Sequence, residues 1–411
     1  MTKQDWAECC FQDLLDYEQP TRYIVKSTKY NDSYKTPVLT AGKTFIKGYT
    51  NETDGVFDNL PTIIFDDFTT ASQFVNFKFK VKSSAMKILV PTSKLVNIPF
   101  VYYAMQVNQV RSDTHKRYWI SVFSKKKFLL PPLPEKHAIV QKIETLFSSL
   151  DNGIADLKKA QDQLKTYRQA VLKKAFEGIE ELVPLNECGE WKGGGTPSKR
   201  INEYWENGDI PWVSSRDVKT KEIHDTERHI TELAIPNSST KWIEKESLLF
   251  VMRSGILRRI FPIAIAKRRL CVNQDIQTVF LNENWYSEYV YWYLLGNESD
   301  IRHSCSKDGT TVESIDANSL KSYQVPLCSI QEQHRIVHEI ESRLSVCDAV
   351  EQNIADSLEK AQALRQSILK KAFEGKLLSE EEIAKCKQHK DYEPASVLLE
   401  KIKAEKNKNK E

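Results

Sequence analysis

The chain lacks most of what would mark an enzyme, a membrane protein or a metalloprotein. Its eight cysteines (Cys9, Cys10, Cys188, Cys271, Cys305, Cys328, Cys347 and Cys386) form no C-x-x-C pair, and the adjacent Cys9 and Cys10 are wrongly spaced to share a metal. The expectation is buried, reduced thiols in a cytoplasmic protein. No apolar run approaches the roughly 20 residues of a membrane span, and the polar opening Met1–Trp6 does not read as a signal peptide. Charge of one sign is not in excess: 59 basic against 56 acidic residues leave a net +3. Any nucleic-acid footprint must therefore lie in local patches rather than in the total. The segment Gly193–Lys199 (GGGTPSK) lacks the spacing of a phosphate loop. No Asn-Pro-Pro-aromatic methyltransferase signature occurs. Asp217-Val218-Lys219 matches only the tail of a nuclease pattern, with Asp209 too near to complete it. His137 and His334 open equivalent helices, which suits capping or packing. No catalytic residue, cofactor site or metal site is expected in this chain.

What is present is a long duplication. Leu130–Gly178 and Leu327–Gly375 align without a gap, and each copy ends in Arg-Gln-x-x-Leu-Lys-Lys-Ala-Phe-Glu-Gly. A period of about 200 residues is too long for a solenoid, whose units run roughly 20–50 residues. It signals a domain plus a helix, made twice. Apolar residues in the first copy fall at Ile139, Ile143, Leu146, Leu150, Ile154, Leu157, Ala160, Leu164, Tyr167, Val171 and Ala175, steps of three and four that draw one stripe on a helix. Pro134 stands where a helix start tolerates it, and Gly178 and Gly375 stand where a C-cap belongs. Gly153 costs about 1 kcal/mol against alanine and is a place to bend. Each stripe needs a partner, and the other copy is in the same chain. The two helices are expected to pair antiparallel as a coiled coil and hold the remaining regions apart.

Those regions, residues 1–128 and 184–325, share landmarks in order. Ile63–Asp67 stands for Leu248–Met252, Lys82–Met86 for Val272–Ile276, Ile98–Tyr103 for Ser287–Trp292, and His115–Ile120 for Gly309–Ile315. Short strands and turns make each a mixed α/β globule. The expected class is α+β with a pseudo-twofold repeat: domains 1–128 and 184–325, helical spacers 129–183 and 326–378, and a tail 379–411 whose Lys-rich end, Lys401–Glu411, reads as frayed and solvated.

Thr40–Thr50 (TAGKTFIKGYT), Ile64–Thr70 (IFDDFTT) and Lys80–Met86 (KVKSSAM) in the first region, Gly195–Ser198 (GTPS), Ile210–Ser214 (IPWVS) and Asn273–Asp275 (NQD) in the second, and the doubled LKKAFEG occur in an order that resembles the specificity subunit of type I restriction–modification systems. The resemblance spans nearly the whole chain. It implies two target-recognition domains, each reading half of a bipartite DNA site, with the helices setting the gap. It further implies two docked modification subunits that carry S-adenosylmethionine, which a restriction subunit using ATP and magnesium can join. Two readings from other classes stand beside it: a combined restriction–methyltransferase enzyme, and a coiled-coil adaptor that binds only protein.

On that footing, DNA-contact candidates in the first region are Lys116, Arg117 and Tyr118, then Lys43, Lys47 and Tyr49 in a Gly-flanked turn, and Lys82. Trp119 reads as buried. In the second region they are Arg216, Arg253, Arg258, Lys267, Arg268, Lys307 and Thr310, with a charged strand edge as the alternative for Arg258 and Lys267–Arg269. Asn273–Asp275 is read either as an adenine reader or as a polar stitch between strands.

Overall fold

The apolar runs of the two globular regions are short, and an isolated hairpin of such strands is marginal in water, so local hairpins are completed by strands from far along the chain. The computed structural model describes residues 5–42, 44–109, 117–307 and 313–408. It divides into two compact units, residues 1–157 with 356–411, and residues 158–355.

The first unit carries β1 (Ala7–Cys10), β2 (Leu15–Glu18), β3 (Thr36–Leu39), β4 (Ile46–Thr50), β5 (Thr62–Asp66), β6 (Ser72–Val75), β7 (Lys80–Val81), β8 (Met86–Pro91) and β9 (Lys127–Leu130). An antiparallel sheet runs β2-β8-β5-β6, a smaller one runs β4-β3-β7 with β3 parallel to β7, and β1 pairs with β9. Ile63, Ile64 and Phe65 on the central β5 are fully buried, the mark of a strand covered on both faces. Helix α1 (Ile98–Val107) starts where the Asn97 side chain accepts the Phe100 N–H at 2.9 Å, and it lays Phe100, Val101, Ala104 and Met105 into the core. Helix α2 (Leu133–Ala175) follows, with Pro134 in its first turn.

The second unit carries β10 (Leu182–Pro184), β11 (Gly189–Gly193), β12 (Ile210–Val213), β13 (Glu222–Ile223), β14 (His229–Ile230), β15 (Leu248–Val251), β16 (Ile263–Ala266), β17 (Cys271–Val272), β18 (Ile276–Leu281) and β19 (Gln324–Pro326), then α3 (Ser287–Gly296) and α4 (Ile330–Phe373). Its sheets run β11-β18-β15-β16-β13 and β14-β12-β17, with β12 parallel to β17, and β10 pairs with β19. Apart from β13 this is the topology of the first unit. Single hydrogen bonds repeat as well. Lys82 N–H donates to Leu39 O at 3.1 Å as Asn273 N–H does to Val213 O at 2.9 Å, and Asp67 N–H to Ala85 O at 3.0 Å as Met252 N–H to Asp275 O at 2.8 Å. The first three shared landmarks fall on equivalent elements. The fourth is displaced: Tyr118 N–H donates to Asp67 O as Ile315 N–H donates to Met252 O, so Tyr118 occupies the place of Ile315.

The long helices divide between the units. Residues of α2 up to Leu157 belong to the first and those from Lys158 to the second, and α4 changes over at Ala355. Within the first unit Arg365 of α4 pairs with Asp151 and lies 4.3 Å from the Phe147 ring centre, while Ile139 and Ala372 line one small void. Rising numbers on one helix meet falling numbers on the other. Within the second unit Arg168 pairs with Asp348 at 2.6 Å and Glu351 at 2.9 Å, and Val171 and Leu172 share a core with Ile336, Ile340 and Leu344. At 43 residues α2 is about 65 Å long. Gly178 and Gly375 adopt positive φ of 85° and 69°. After α4, Gly375 N–H donates to Ala372 O and Lys376 N–H to Lys371 O, a Schellman closure. A Cβ at Gly153 would meet nothing within 4 Å.

The expected frayed tail is corrected. Residues 379–408 hold α5 (Glu380–Lys387), started by a Ser379–Glu382 capping box, and α6 (Ala395–Lys408), whose Leu398, Leu399 and Ile402 enter the first unit's core beside Phe11 and Leu14. Ala395 N–H donates to Asp5 O, and Lys403 and Lys406 reach Asp13 and Asp16. The lysines lie outside an apolar stripe that composition alone conceals. All eight cysteines are free thiols, and only Cys10 and Cys328 are partly exposed. Among the described residues no helix is long and apolar enough to cross a membrane, and no metal-ligating cluster occurs.

Candidate nucleic-acid interface

In the second unit, β12 and β17 run parallel and end together, so the loops that follow them open on the same side. Between these loops lies a polar cleft of about 390 Å³ lined by Thr196, Lys199, Ser214, Arg216, Arg228 and Gln274, among others. Gly194 and Gly195 lead into Thr196 on its lining. A Cβ on Gly194 would stand 2.2 Å from Val272 O, and one on Gly195 2.6 Å from the Ser239 carbonyl carbon, so only glycine lets these backbones meet. The Trp212 indole Nε1–H then donates to Gly195 O at 3.0 Å. The Asp217 carboxylate accepts from Ser214 N–H at 2.8 Å and Ser214 O–H at 2.7 Å, a closed turn that presents exposed Arg216.

Asn273 is 6% exposed; its side chain exchanges hydrogen bonds with Asp275 and closes the turn, while its backbone N–H ties that turn to Val213 O. Gln274 is exposed, bonded to the Thr196 hydroxyl, and faces the cleft. Asp275 also pairs with exposed Arg253 at 3.3 Å, so the polar surface continues from the cleft to the end of β15. Arg258 pairs there with Glu313 at 2.5 Å, which raises the pKa of its guanidinium. Lys307 is exposed on the neighbouring segment, where its N–H donates to Ser314 O. Arg268 is exposed, with one long bond to Asp209 O at 3.5 Å. Lys199, Arg228 and Thr196 are cleft residues that sequence reasoning did not single out. The doubled glycine directly after a strand, where backbone must pass backbone, was the available signal.

The first unit repeats this placement with other residues. The loops after β3 and β7 hold residues 40–45 and exposed Lys82, equivalent to the Arg216 and Gln274 loops. Lys47 is exposed on β4 and Tyr49 is half-buried beside it. Arg117 is exposed next to the end of β5. Lys43, Lys116 and Thr310 lie outside the described residues.

Two expectations are corrected. Lys267 is not a phosphate contact: its ammonium lies 3.0, 3.2 and 3.8 Å from Glu246, Glu288 and Glu222. Burial pulls its pKa down, but the bonds from Glu246 and Glu288 outweigh that and leave it raised. Lys221 joins Glu288 to Glu341 of α4 at 2.7 and 2.5 Å, so this charge cluster fastens the globule to its helix. Tyr118 is 5% exposed, as its equivalence with Ile315 requires, and presents no ring to a ligand.

The comparisons likewise match the two halves to one family. The model of the type I restriction modification DNA specificity domain matches residues 3–160 and again 180–360. The chain is 41% identical over 367 residues to the type I restriction enzyme EcoR124I/EcoR124II specificity subunit of Escherichia coli, covering 86% of this chain and 89% of that protein. It is 25% identical over 297 residues to the EcoKI specificity subunit of Escherichia coli K12, covering 67% and 63%. Among solved structures, the HsdS subunit from Thermoanaerobacter tengcongensis shares the fold with a TM-score of 0.57 at 16% identity, over 92% of this chain and all of that one. A chain from work on complex assembly and conformational transition of the type I R-M system does so at 0.69 and 17%, over 90% and 98%. A match in both halves, at high identity through most of the length, leads to one conclusion: the chain belongs to the type I restriction modification DNA specificity family.

Proposed function

We propose that this chain is the DNA-binding specificity subunit of a type I restriction–modification complex, with no catalytic centre of its own. Residues 1–128 and 184–325 each read one half of a bipartite site. The observation that carries this is the pairing of one topology with two different sets of polar loop residues: Lys47 and Lys82 lie on the segments equivalent to those that carry Arg228 and Gln274. Equal scaffolds place the two readers alike, and unequal loops make the half-sites differ. The spacers 129–183 and 326–378 pair as an antiparallel coiled coil along their length, as the Asp151–Arg365 and Arg168–Asp348 contacts within the units support. A stiff rod of that kind fixes one gap, on the order of one DNA turn, ~34 Å. The nearly identical helix ends dock two modification subunits, which carry S-adenosylmethionine. A restriction subunit using ATP and magnesium completes the assembly.

The test uses the full chain with its modification subunits. Lengthening α2 between Asp151 and Leu172 changes the gap in the methylated site and leaves both half-sites intact; altered bases at an unaltered gap refute the ruler. The chain without partners transfers no labelled methyl group to DNA, and transfer by it alone overturns the assignment.

A further inference from the structure

We infer that an exposed apolar turn, at the same topological point in each unit, makes apolar contact with the DNA bases beside the polar cleft. This rests on the DNA-reading assignment above. In the second unit the connection from β15 to β16 is closed by Val251 N–H to Pro262 O at 3.2 Å and anchored by buried Leu257 and Phe261. Directly before each anchor, Ile256 and Ile260 stand 42% and 46% exposed. In the first unit the β5–β6 connection is closed by Asp66 N–H to Ala71 O at 2.8 Å, and the Asp66 carboxylate accepts the N–H groups of Phe68 and Thr69, both at 2.9 Å. That turn holds Phe68 out, 41% exposed.

Single exposed apolar side chains are ordinary. Three features separate these. They occupy equivalent connections in two regions whose surfaces otherwise differ. Each sits on a turn fixed by backbone bonds, so little freedom is lost when a ligand covers it. Each has arginine near it in the chain or on a bonded segment: Arg253, Arg258 and Arg259 share the second turn's connection, and the segment that bonds to the first turn carries exposed Arg117. Arg259 has no carboxylate partner among the described residues. Asp275 joins the second turn to the cleft through Arg253. Apolar tips on or next to arginine-bearing segments suit a polyanion that offers apolar surface inside its grooves. Duplex DNA does so as the thymine 5-methyl group in the major groove and as base-pair steps that an aliphatic or phenyl wedge can part from the minor groove.

The experiment uses the full chain with its modification subunits and a duplex carrying the site established by methylome sequencing. Ile256→Ser with Ile260→Ser tests one half, Phe68→Ser the other, and Arg216→Ala serves as a control on the polar cleft. All these side chains are exposed, and circular dichroism verifies the fold. Each apolar variant binds the cognate duplex more weakly than the unaltered protein. With a methyl contact, replacing one half-site thymine by uracil weakens the unaltered protein about fourfold, the value of one buried methyl group, and leaves the variant of that half unaffected. With a wedge, uracil has no effect, but 2-aminopurine at one step brightens on binding to the unaltered protein and not to the variant. Variants that bind as tightly as the unaltered protein while Arg216→Ala weakens binding overturn the inference and spare the DNA-reading assignment. If Arg216→Ala is also without effect, the assignment of this face fails with it.

Discussion

Lys136 is 1% exposed at the start of α2, and no carboxylate lies within ion-pair distance of it among the described residues. Burial brings its pKa from 10.5 down to about 8. The duplicated position holds Gln333, fully buried, whose amide satisfies Tyr286 N–H and the carbonyls of Asn284 and Cys328. The first unit therefore carries a cation where its twin carries a neutral group. Below pH 8 the amine is charged in both the folded and unfolded states, and the folded form bears the full cost of desolvation. Between pH 8 and 10.5 the folded form has lost the proton while the unfolded chain keeps it, so stability climbs with pH. Above 10.5 both are neutral. That depression amounts to about 3 kcal/mol. Lys136→Met, close in volume, removes the titration. Its stability advantage over the unaltered protein is predicted to be about 3 kcal/mol larger at pH 7 than at pH 11. Urea unfolding, with hydrogen exchange on peptides from residues 133–147 to isolate the first unit, measures it at pH 7, 9 and 11. The Cys9 thiol faces Lys136; burial pushes its pKa up against the lowering effect of that amine, which keeps it protonated in both folded proteins. An advantage that stays constant across this range refutes the reasoning.

Three further outcomes are expected. Gly153→Ala meets open space on an exposed helix face and raises the midpoint of thermal unfolding, a gain of about 1 kcal/mol. Gly195→Ala drives a methyl group into the Ser239 backbone and costs about 1–3 kcal/mol; binding weakens for duplexes altered only in the first half-site as much as for the full site, because the second half-site's cleft is lost. Lys267→Met leaves Glu246 and Glu222 without their cation and destabilises the second unit by about 2 kcal/mol, discounted for partial exposure. It leaves the salt dependence of DNA binding unchanged, whereas Arg216→Ala flattens the slope.

The long helices were legible because a period of three and four, carried through more than ten turns, survives any single exception, Gly153 included. The sheets were legible only as apolar runs. That β3 lies parallel to β7, or β12 to β17, depends on contacts more than 40 residues apart that no local pattern encodes. Aligning the halves recovered the topology where equivalent strands kept apolar runs, and drifted at Tyr118, where a loop changed length. Among the candidate contacts, charge was a fair guide to exposure for Lys47, Lys82, Arg117, Arg216 and Arg253. It failed at Lys267, since a cation beside distant carboxylates looks in sequence like one beside none. It failed again at α6, where lysines outnumber the apolar residues that dock it.

The division of the long helices bears on the order in which the molecule is made. Residues 158–355 are one unbroken stretch that includes every strand of its unit and both of its helix portions. The other unit is written in two pieces, and its core takes Ile368, Leu369, Ala372, Leu398, Leu399 and Ile402 from the later one. On the ribosome, the region synthesised first is thus left with an open apolar face until the last helix emerges. The region synthesised second can close beforehand. A chain stopped within α4 yields a folded second reader attached to an unfinished first one.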